Sequence, residues 1–177
     1  MSIKKFVSLF LTMVLLTAMA ACARTPEKKE PVTLTLFAPE QALDVVLNTT
    51  QVYSSVDPNV SIKVSLDDAK MIAEKALSGY TCDVIIDFDF FMDQIDGTQD
   101  SERNPGGYDC IDSNTRKEIF TGASDETYDP DSETAVYAIA ATKSTAHASE
   151  VAAFIEFMQS ERCAQIYEEC GCEAIGE

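Results

Sequence analysis

The sequence has one histidine, no tryptophan and few basic residues. Its 13 lysines and arginines stand against 30 aspartates and glutamates, which gives a formal net charge of −17 at pH 7. A surface this acidic repels phosphate backbones, so nucleic-acid binding is excluded, and binding to anionic membrane surfaces is disfavoured. The scarcity of histidine removes many catalytic designs. What remains is a small acidic protein, and 46% hydrophobic residues suffice for one folded domain.

The first 21 residues predict an export signal. Two lysines precede an apolar run that ends in two alanines, and Cys22 follows directly, as at the cleavage site of bacterial lipoproteins. The alternative, an uncleaved membrane anchor, is less favoured because the run is short for a bilayer-spanning helix. We therefore predict a signal peptide over 1–21, a lipid on Cys22, a polar tether over 22–31, and a location on the extracytoplasmic face of the cell membrane.

The hydrophobic pattern after the tether predicts one α/β domain over 32–177. Strands are predicted at Val32–Ala38, Asn59–Ser65, Cys82–Ile86 and Thr134–Thr142, and helices at 41–54, 68–78, 112–119, 147–158 and 160–169. Asp67 and Ser160 are the predicted N-caps of the second and last helices. Polar acidic loops are predicted over 97–109 and 121–133. Alternating strands and helices indicate a three-layer sandwich with a mainly parallel sheet of four or five strands.

Two blocks of the sequence carry a family resemblance. The first contains VTLTLFA, SGYTCDVIIDFDFFMDQI and YDCIDSNTRKEIFTG, and the second is VYAIAATKSTAHASEVAAFIEFMQSERCAQIYEECGC. Together they resemble the molybdate-type periplasmic binding proteins of ABC importers, although the second block is shared with other extracellular solute-binding proteins. The resemblance implies a type II periplasmic-binding-protein fold. It also implies capture of a small anion such as molybdate or tungstate for an ABC permease, with no catalysis and no cofactor.

The chain departs from that family in its domain organisation. Relatives carry an entire second lobe before the strand that contains Tyr137, and here only the loop over 121–133 occupies that interval. The resemblance therefore implies a single lobe. A half-open cleft buries less of a ligand than two closing lobes do, so weak binding is expected.

The resemblance also locates the expected ligand contacts, at the carboxyl ends of the strands. These contacts are Glu40, Gln41, Ser65, Asp68 and Tyr137. In the family, serine hydroxyls and helix N-terminal amides hold the anion. Here Pro39 and Glu40 replace the first serine, and Asp68 lies near the position of the second. A carboxylate beside a dianion is repulsive unless it is protonated or bridged by a cation. Tyr137 suits a ligand contact and a core aromatic equally well.

Acidic residues and cysteines leave metal binding open as a minor alternative. Two acidic groups could offer ligands to calcium: Asp87, Asp89, Asp93 and Asp96, or Asp125, Glu126, Asp129, Asp131 and Glu133. Neither fits the calcium-loop pattern, so a solvated acidic surface is favoured. A zinc site could use His147, Cys163, Cys170 and Cys172, but the paired spacing is missing, and buried or disulfide-linked thiols are favoured. We predict no resident metal.

Two further functional hypotheses compete with anion capture. With one lobe and altered serines, the protein could be a surface module whose exposed lobe face binds another protein or a second copy. A divalent-cation-binding lipoprotein is the other alternative, and it depends only on the acidic loops. An enzyme is least favoured, since no nucleophile motif accompanies His147.

Overall fold

The computed structural model describes residues 30–100, 102–123 and 134–175. Within them the strands are β1 (Val32–Pro39), β2 (Val60–Asp67), β3 (Val84–Phe88), β4 (Lys117–Ala123), β5 (Thr134–Ala141) and β6 (Glu173–Ala174). The helices are α1 (Leu43–Val56), preceded by a 3-10 turn at Glu40–Ala42, α2 (Ala69–Leu77), α3 (Asp89–Ile95), α4 (Ala148–Met158) and α5 (Glu161–Glu169). The predicted signal peptide and Cys22 lie outside the described residues. In the described ranges no helix is long and apolar enough to cross a membrane.

The strands form one mixed sheet in the order β2-β1-β3-β5-β4-β6. β1 pairs in parallel with β2 and β3, whereas β5 is antiparallel to both β3 and β4, and β6 is antiparallel to β4. The first four strands therefore point in one direction. The predicted α/β sandwich is confirmed, with an antiparallel second half to its sheet.

Helices cover both faces of this sheet. The chain moves from β1 to β2 through α1 and back across the sheet to β3 through α2, and right-handed crossovers place these two helices on opposite faces. On one face α1 contacts α4 and α5, and the ring of Tyr53 lies 5.0 Å from Phe154 and 5.1 Å from Phe157. On the other face α2 contacts α3. All residues of β3, at the sheet centre, are buried, as its apolar sequence predicts.

The helix predicted over 112–119 is wrong. Residues from Lys117 onward form β4, and a register shift between Glu118 and Phe120 interrupts its ladder. Ile119 and Phe120 are consequently both buried, which breaks the alternation that identifies a strand in sequence. The loop predicted over 121–133 also begins later, because β4 continues to Ala123.

The N-cap of α2 is Asp68 rather than the predicted Asp67. The Asp68 carboxylate accepts a 3.0 Å hydrogen bond from the Lys70 backbone N–H. Asp67 instead ends β2 and forms an ion pair with Lys75, with 2.5 Å between Oδ2 and Nζ. Ser160 caps α5 as predicted, accepting a hydrogen bond from the Cys163 N–H.

Candidate functional site

The carboxyl ends of β1, β2 and β3 meet at one edge of the sheet, and a helix follows each of them. Pro39 of β1 pairs with Asp67 of β2, and two residues before Pro39, Phe37 pairs with Ile85 of β3. Asp87 in turn pairs with Ala138 of β5. Asp87 is two residues beyond Ile85, as Pro39 is beyond Phe37, so the side chains of Pro39, Asp67, Asp87 and Ala138 lie on one face of the sheet. We call the last three residues of β1, β2 and β3, the 3-10 turn after β1 and the first turn of α2 together the carboxyl edge.

Four of the five predicted ligand contacts lie at the carboxyl edge. Glu40 and Gln41 are exposed in the 3-10 turn that follows β1. Ser65 is half-buried on β2, where it pairs with Phe37, and Asp68 is exposed at the start of α2. The side chain of Lys75 reaches this face as well, with Nζ 5.6 Å from the centre of the Phe37 ring.

The N-terminus of α2 is already complemented by carboxylates of the chain. Asp68 accepts from the Lys70 N–H, and Asp67 Oδ1 accepts a 2.9 Å hydrogen bond from the Asp68 N–H. Hydrogen bonds from Lys75 and from that N–H lower the pKa of Asp67. Because a helix N-terminus attracts negative charge, an external anion has to compete here with Asp68.

Asp87 is a buried carboxyl group with one unused oxygen. Its side chain is 1% exposed, and Oδ1 accepts a 2.8 Å hydrogen bond from the Phe88 N–H. Oδ2 is buried and has no hydrogen-bond partner among the described residues. Burial raises the pKa of Asp87 well above its ordinary value; the Phe88 N–H opposes this shift, and the charge of Asp68 adds to it. Asp87 belongs to the first group of possible calcium ligands predicted from the sequence. A charged residue within an apolar strand is the sequence signal that could have singled it out as a buried carboxyl group.

Tyr137 lies in the core. Its side chain has no exposed surface, and its hydroxyl donates a 2.6 Å hydrogen bond to the Ala123 carbonyl. The ring stacks on Phe120 at 4.5 Å and meets Phe88 edge-on at 4.8 Å. Of the two alternatives left open by the sequence, the core aromatic describes this arrangement, and a ligand contact would require the β4–β5 pair to open.

Three of the first group of possible calcium ligands bind an arginine instead. Arg116 forms ion pairs with Asp89, with Asp93 at 2.6 Å and with Asp96 at 3.1 Å. Burial tends to lower the pKa of the Arg116 guanidinium. The hydrogen bonds to Asp89 and Asp93 and the negative charges of these residues have a larger effect, so the pKa is raised overall. These carboxylates therefore anchor the segment before β4 to α3.

Asp96 is the most fully satisfied of these carboxylates. Its side chain is 1% exposed and accepts hydrogen bonds from Thr98, Ser113 and Arg116. Burial alone would raise its pKa, but these donors outweigh that effect and hold the pKa at about 2. A cleft of about 490 Å³ opens beside this network, and charged residues of both signs line it.

The remaining metal candidates do not form a cluster in the described part of the chain. No three His, Cys, Asp or Glu side chains there lie close enough together to hold a metal ion. The thiols of Cys163, Cys170 and Cys172 are unbridged, and burial raises the pKa of Cys163 to about 11. The second acidic group, over 125–133, lies outside the described residues. A cleft of about 600 Å³ between β4, β6 and the α4–α5 turn contains none of the predicted contacts.

Comparisons with solved structures show that the fold is similar to that of several binding proteins. It is similar to a substrate-binding domain assigned to a molybdenum ABC transporter of Clostridium difficile, with a TM-score of 0.64, 14% identity, and coverage of 81% of this chain and 99% of that one. The periplasmic molybdate-binding protein of Azotobacter vinelandii matches at a TM-score of 0.59 and 9% identity, over 78% and 98% of the two chains. The sulfate-binding protein SubI of Mycobacterium tuberculosis matches at 0.59 and 6%, over 81% and 87%.

No protein-family model matches the sequence, and no curated protein is significantly similar to it. At identities this low, the structural matches establish the fold. The neighbours are binding proteins rather than enzymes. The chain has the α/β fold of a single lobe of the solute-binding proteins that serve ABC transporters.

Proposed function

We propose that the protein is the solute-binding lipoprotein of an ABC importer and that it captures a small oxyanion of the molybdate, tungstate or sulfate class. Cys22 carries the lipid that holds it on the extracytoplasmic face of the membrane, and an ABC permease is its transport partner. The protein catalyses no reaction and needs no cofactor. The observation that carries the proposal is the convergence of Glu40, Gln41, Ser65 and Asp68 at the carboxyl edge.

The carboxyl edge offers an anion specific groups. The positively polarised N-terminal end of α2 lies there, and the Ser65 hydroxyl lies on the preceding strand, β2. Ligands of open α/β sheets generally bind at the carboxyl ends of the strands. Asp68 opposes the anion by its charge, and one lobe leaves the site half open. We therefore expect selective but weak binding.

Thermal unfolding of the purified full-length protein in detergent tests anion capture. Molybdate, tungstate, sulfate, phosphate and calcium are compared at equal ionic strength. A ligand at one hundred times its dissociation constant stabilises by about 2.7 kcal/mol, which is a shift of several degrees for a domain of this size. A selective shift with one or more of the oxyanions supports the proposal, whereas a shift with calcium alone contradicts it.

Membrane attachment is tested separately in a bacterial host that exports lipoproteins. The wild-type protein should fractionate with membranes and incorporate labelled palmitate. Cys22→Ala should lose the label, and a wild-type protein without label would refute the anchor. Cys82→Ala is the control, because Cys82 lies in the folded domain and is buried.

A protein-binding surface is the second candidate function, and one observation favours it. Three exposed hydrophobic side chains lie in the first turns of the helices at the carboxyl edge: Leu43 of α1, Met71 of α2 and Phe90 of α3. Because acidic residues such as Glu40 and Asp68 accompany them, the matching partner presents an apolar centre with a basic rim.

Photo-crosslinking in the native host tests this second candidate. A photoreactive residue at Phe90 should give one defined adduct with such a protein, whereas the same residue at Tyr80 should give none. Tyr80 is a suitable control because it is exposed and lies beyond the opposite end of α2. Adducts of equal yield at both positions would contradict a specific surface.

A further inference from the structure

The unused oxygen of Asp87 lies within the carboxyl edge. Asp87 is the penultimate residue of β3 and shares a sheet face with Phe37, which α2 covers through Lys75, and the nearby charge of Asp68 acts on Asp87. Its Oδ1 is occupied by the Phe88 N–H, while Oδ2 is buried without a partner in the described part of the chain. Buried polar atoms are nearly always paired, so an unpaired one at a ligand edge calls for an explanation.

A neutral carboxylic acid resolves this arrangement better than a carboxylate. In the neutral form Oδ2 can carry the proton, and its O–H is then a hydrogen-bond donor that lacks an acceptor. An oxygen atom of a bound anion supplies such an acceptor. It thereby removes the free-energy cost of leaving a buried donor without an acceptor. An ionised Asp87 would instead face the anion with a second negative charge beside Asp68.

We infer that Asp87 is a specificity-determining residue that remains a carboxylic acid and donates its Oδ2 proton in a hydrogen bond to an oxygen of the bound anion. This inference rests on the proposed function. It makes anion binding depend on protonation of the protein, because only neutral Asp87 can donate. Above the pH at which Asp87 ionises, affinity should fall about tenfold for each pH unit.

The charged groups around Asp87 come from three elements. Asp68 belongs to the start of α2, and the Asp67–Lys75 ion pair joins β2 to the same helix. Asp89, two residues along the chain, forms an ion pair with Arg116. On β5 the facing residue is Ala138, which carries no charge. Among the described residues, Asp68 is therefore the charged group without an ion pair that acts on Asp87. A cation bound at this edge would oppose the effect of Asp68 on the pKa of Asp87.

The experiment measures sulfate binding to the full-length protein by calorimetry between about pH 5 and pH 9, a range over which sulfate stays a dianion. Infrared spectroscopy in the same buffers follows the carbonyl band of a protonated carboxyl group. Asp87→Asn keeps a donor at every pH, and Asp87→Leu removes the donor while filling a similar volume. Glu168→Gln is the matched control, because it removes one charge from an exposed position in the last turn of α5, on the opposite face of the sheet.

The expected result has three parts. The wild-type band disappears over the pH range in which sulfate affinity falls, and bound sulfate shifts the band at lower pH. Asp87→Asn lacks the band and binds sulfate with one affinity throughout, whereas Asp87→Leu binds at least tenfold more weakly than the wild type at low pH. Glu168→Gln behaves like the wild type in both measurements.

Other outcomes separate this inference from the proposed function. Sulfate binding without pH dependence, or equal binding by the Asn and Leu variants, overturns the role of Asp87 and leaves anion capture standing. Binding that strengthens as pH rises shows an ionised acceptor and also overturns it. If sulfate, molybdate and tungstate all fail to bind the wild type at any pH, both proposals fall together.

Discussion

The carboxylate of Asp68 accepts a 3.0 Å hydrogen bond from the backbone N–H of Lys70 and so occupies the N-terminus of α2. The positively polarised end of the helix is thereby capped by a negative charge that belongs to the protein. The same residue stabilises the helix and opposes the proposed ligand. Substitutions at position 68 can separate these two effects.

Asp68→Ser should strengthen oxyanion binding without unfolding α2. Serine caps helices about as well as aspartate, so stability should change little, while removal of the charge should raise sulfate affinity roughly tenfold. Calorimetry with sulfate measures the affinity. Asp68→Ala is the control for capping and should lose about 1 kcal/mol of stability. An unchanged affinity in the serine variant would place the anion elsewhere.

Arg116→Met should destabilise the protein by about 3–5 kcal/mol, because it leaves the buried Asp96 without a cation and leaves Asp93 only its ion pair with the exposed Arg103. Chemical denaturation measures the loss. Lys117→Met, at the adjacent exposed position, is the matched control and should change stability by less than about 0.5 kcal/mol. Similar losses in the two variants would show that the ion pairs of Arg116 contribute little.

Asp96 should stabilise the fold in a pH-dependent manner. Its pKa of about 2 lies below the ordinary value near 4 for an unfolded chain, so its contribution is complete above about pH 4 and is lost as pH falls toward 2. Urea unfolding at several pH values should therefore show a shallower acid slope in Asp96→Asn than in the wild type. Parallel slopes would mean that Asp96 does not titrate with the fold.

Tyr137→Phe should lower stability by about 1 kcal/mol, because it removes the hydrogen bond to the Ala123 carbonyl while keeping the ring between Phe88 and Phe120. Sulfate affinity should stay within twofold of the wild type, since the hydroxyl is already paired with the Ala123 carbonyl in the core. A large drop in affinity with normal stability would instead identify Tyr137 as a ligand contact reached by opening of β4 and β5.

The sequence predicts the first half of the fold well. β1, α1, β2, α2 and β3 each show one clear period, and the buried strand Val84–Phe88 is recognisable from its apolar composition. β4 escapes prediction because its register shift buries two successive residues, Ile119 and Phe120. β6 escapes because two residues carry no period at all.

The site is only partly predictable, because its properties depend on contacts between distant segments. Asp89, Asp93 and Asp96 appear as a calcium-like group until Arg116, at least 20 residues later, is placed among them. In the sequence Asp87 appears as a member of the same group. In the structure, the alternation of side chains along β3 places Asp87 on a covered face of the sheet, where it is buried. Ser65, Asp68 and Glu40 lie at one edge because the parallel strands β1 and β2 both end there. The order of strands and helices along the sequence is enough to predict this.

Amide chemical-shift mapping of the isotopically labelled protein during titration with sulfate and molybdate tests the central claim most directly. The account predicts that the shifted amides concentrate at the carboxyl edge, over Glu40–Gln41 and Ser65–Lys70, and saturate together. Unchanged spectra at high anion concentration would contradict anion capture. Shifts confined to the cleft beside Asp96 and Arg116, or to the cleft between β4, β6 and the α4–α5 turn, would contradict the location of the anion site at the carboxyl edge.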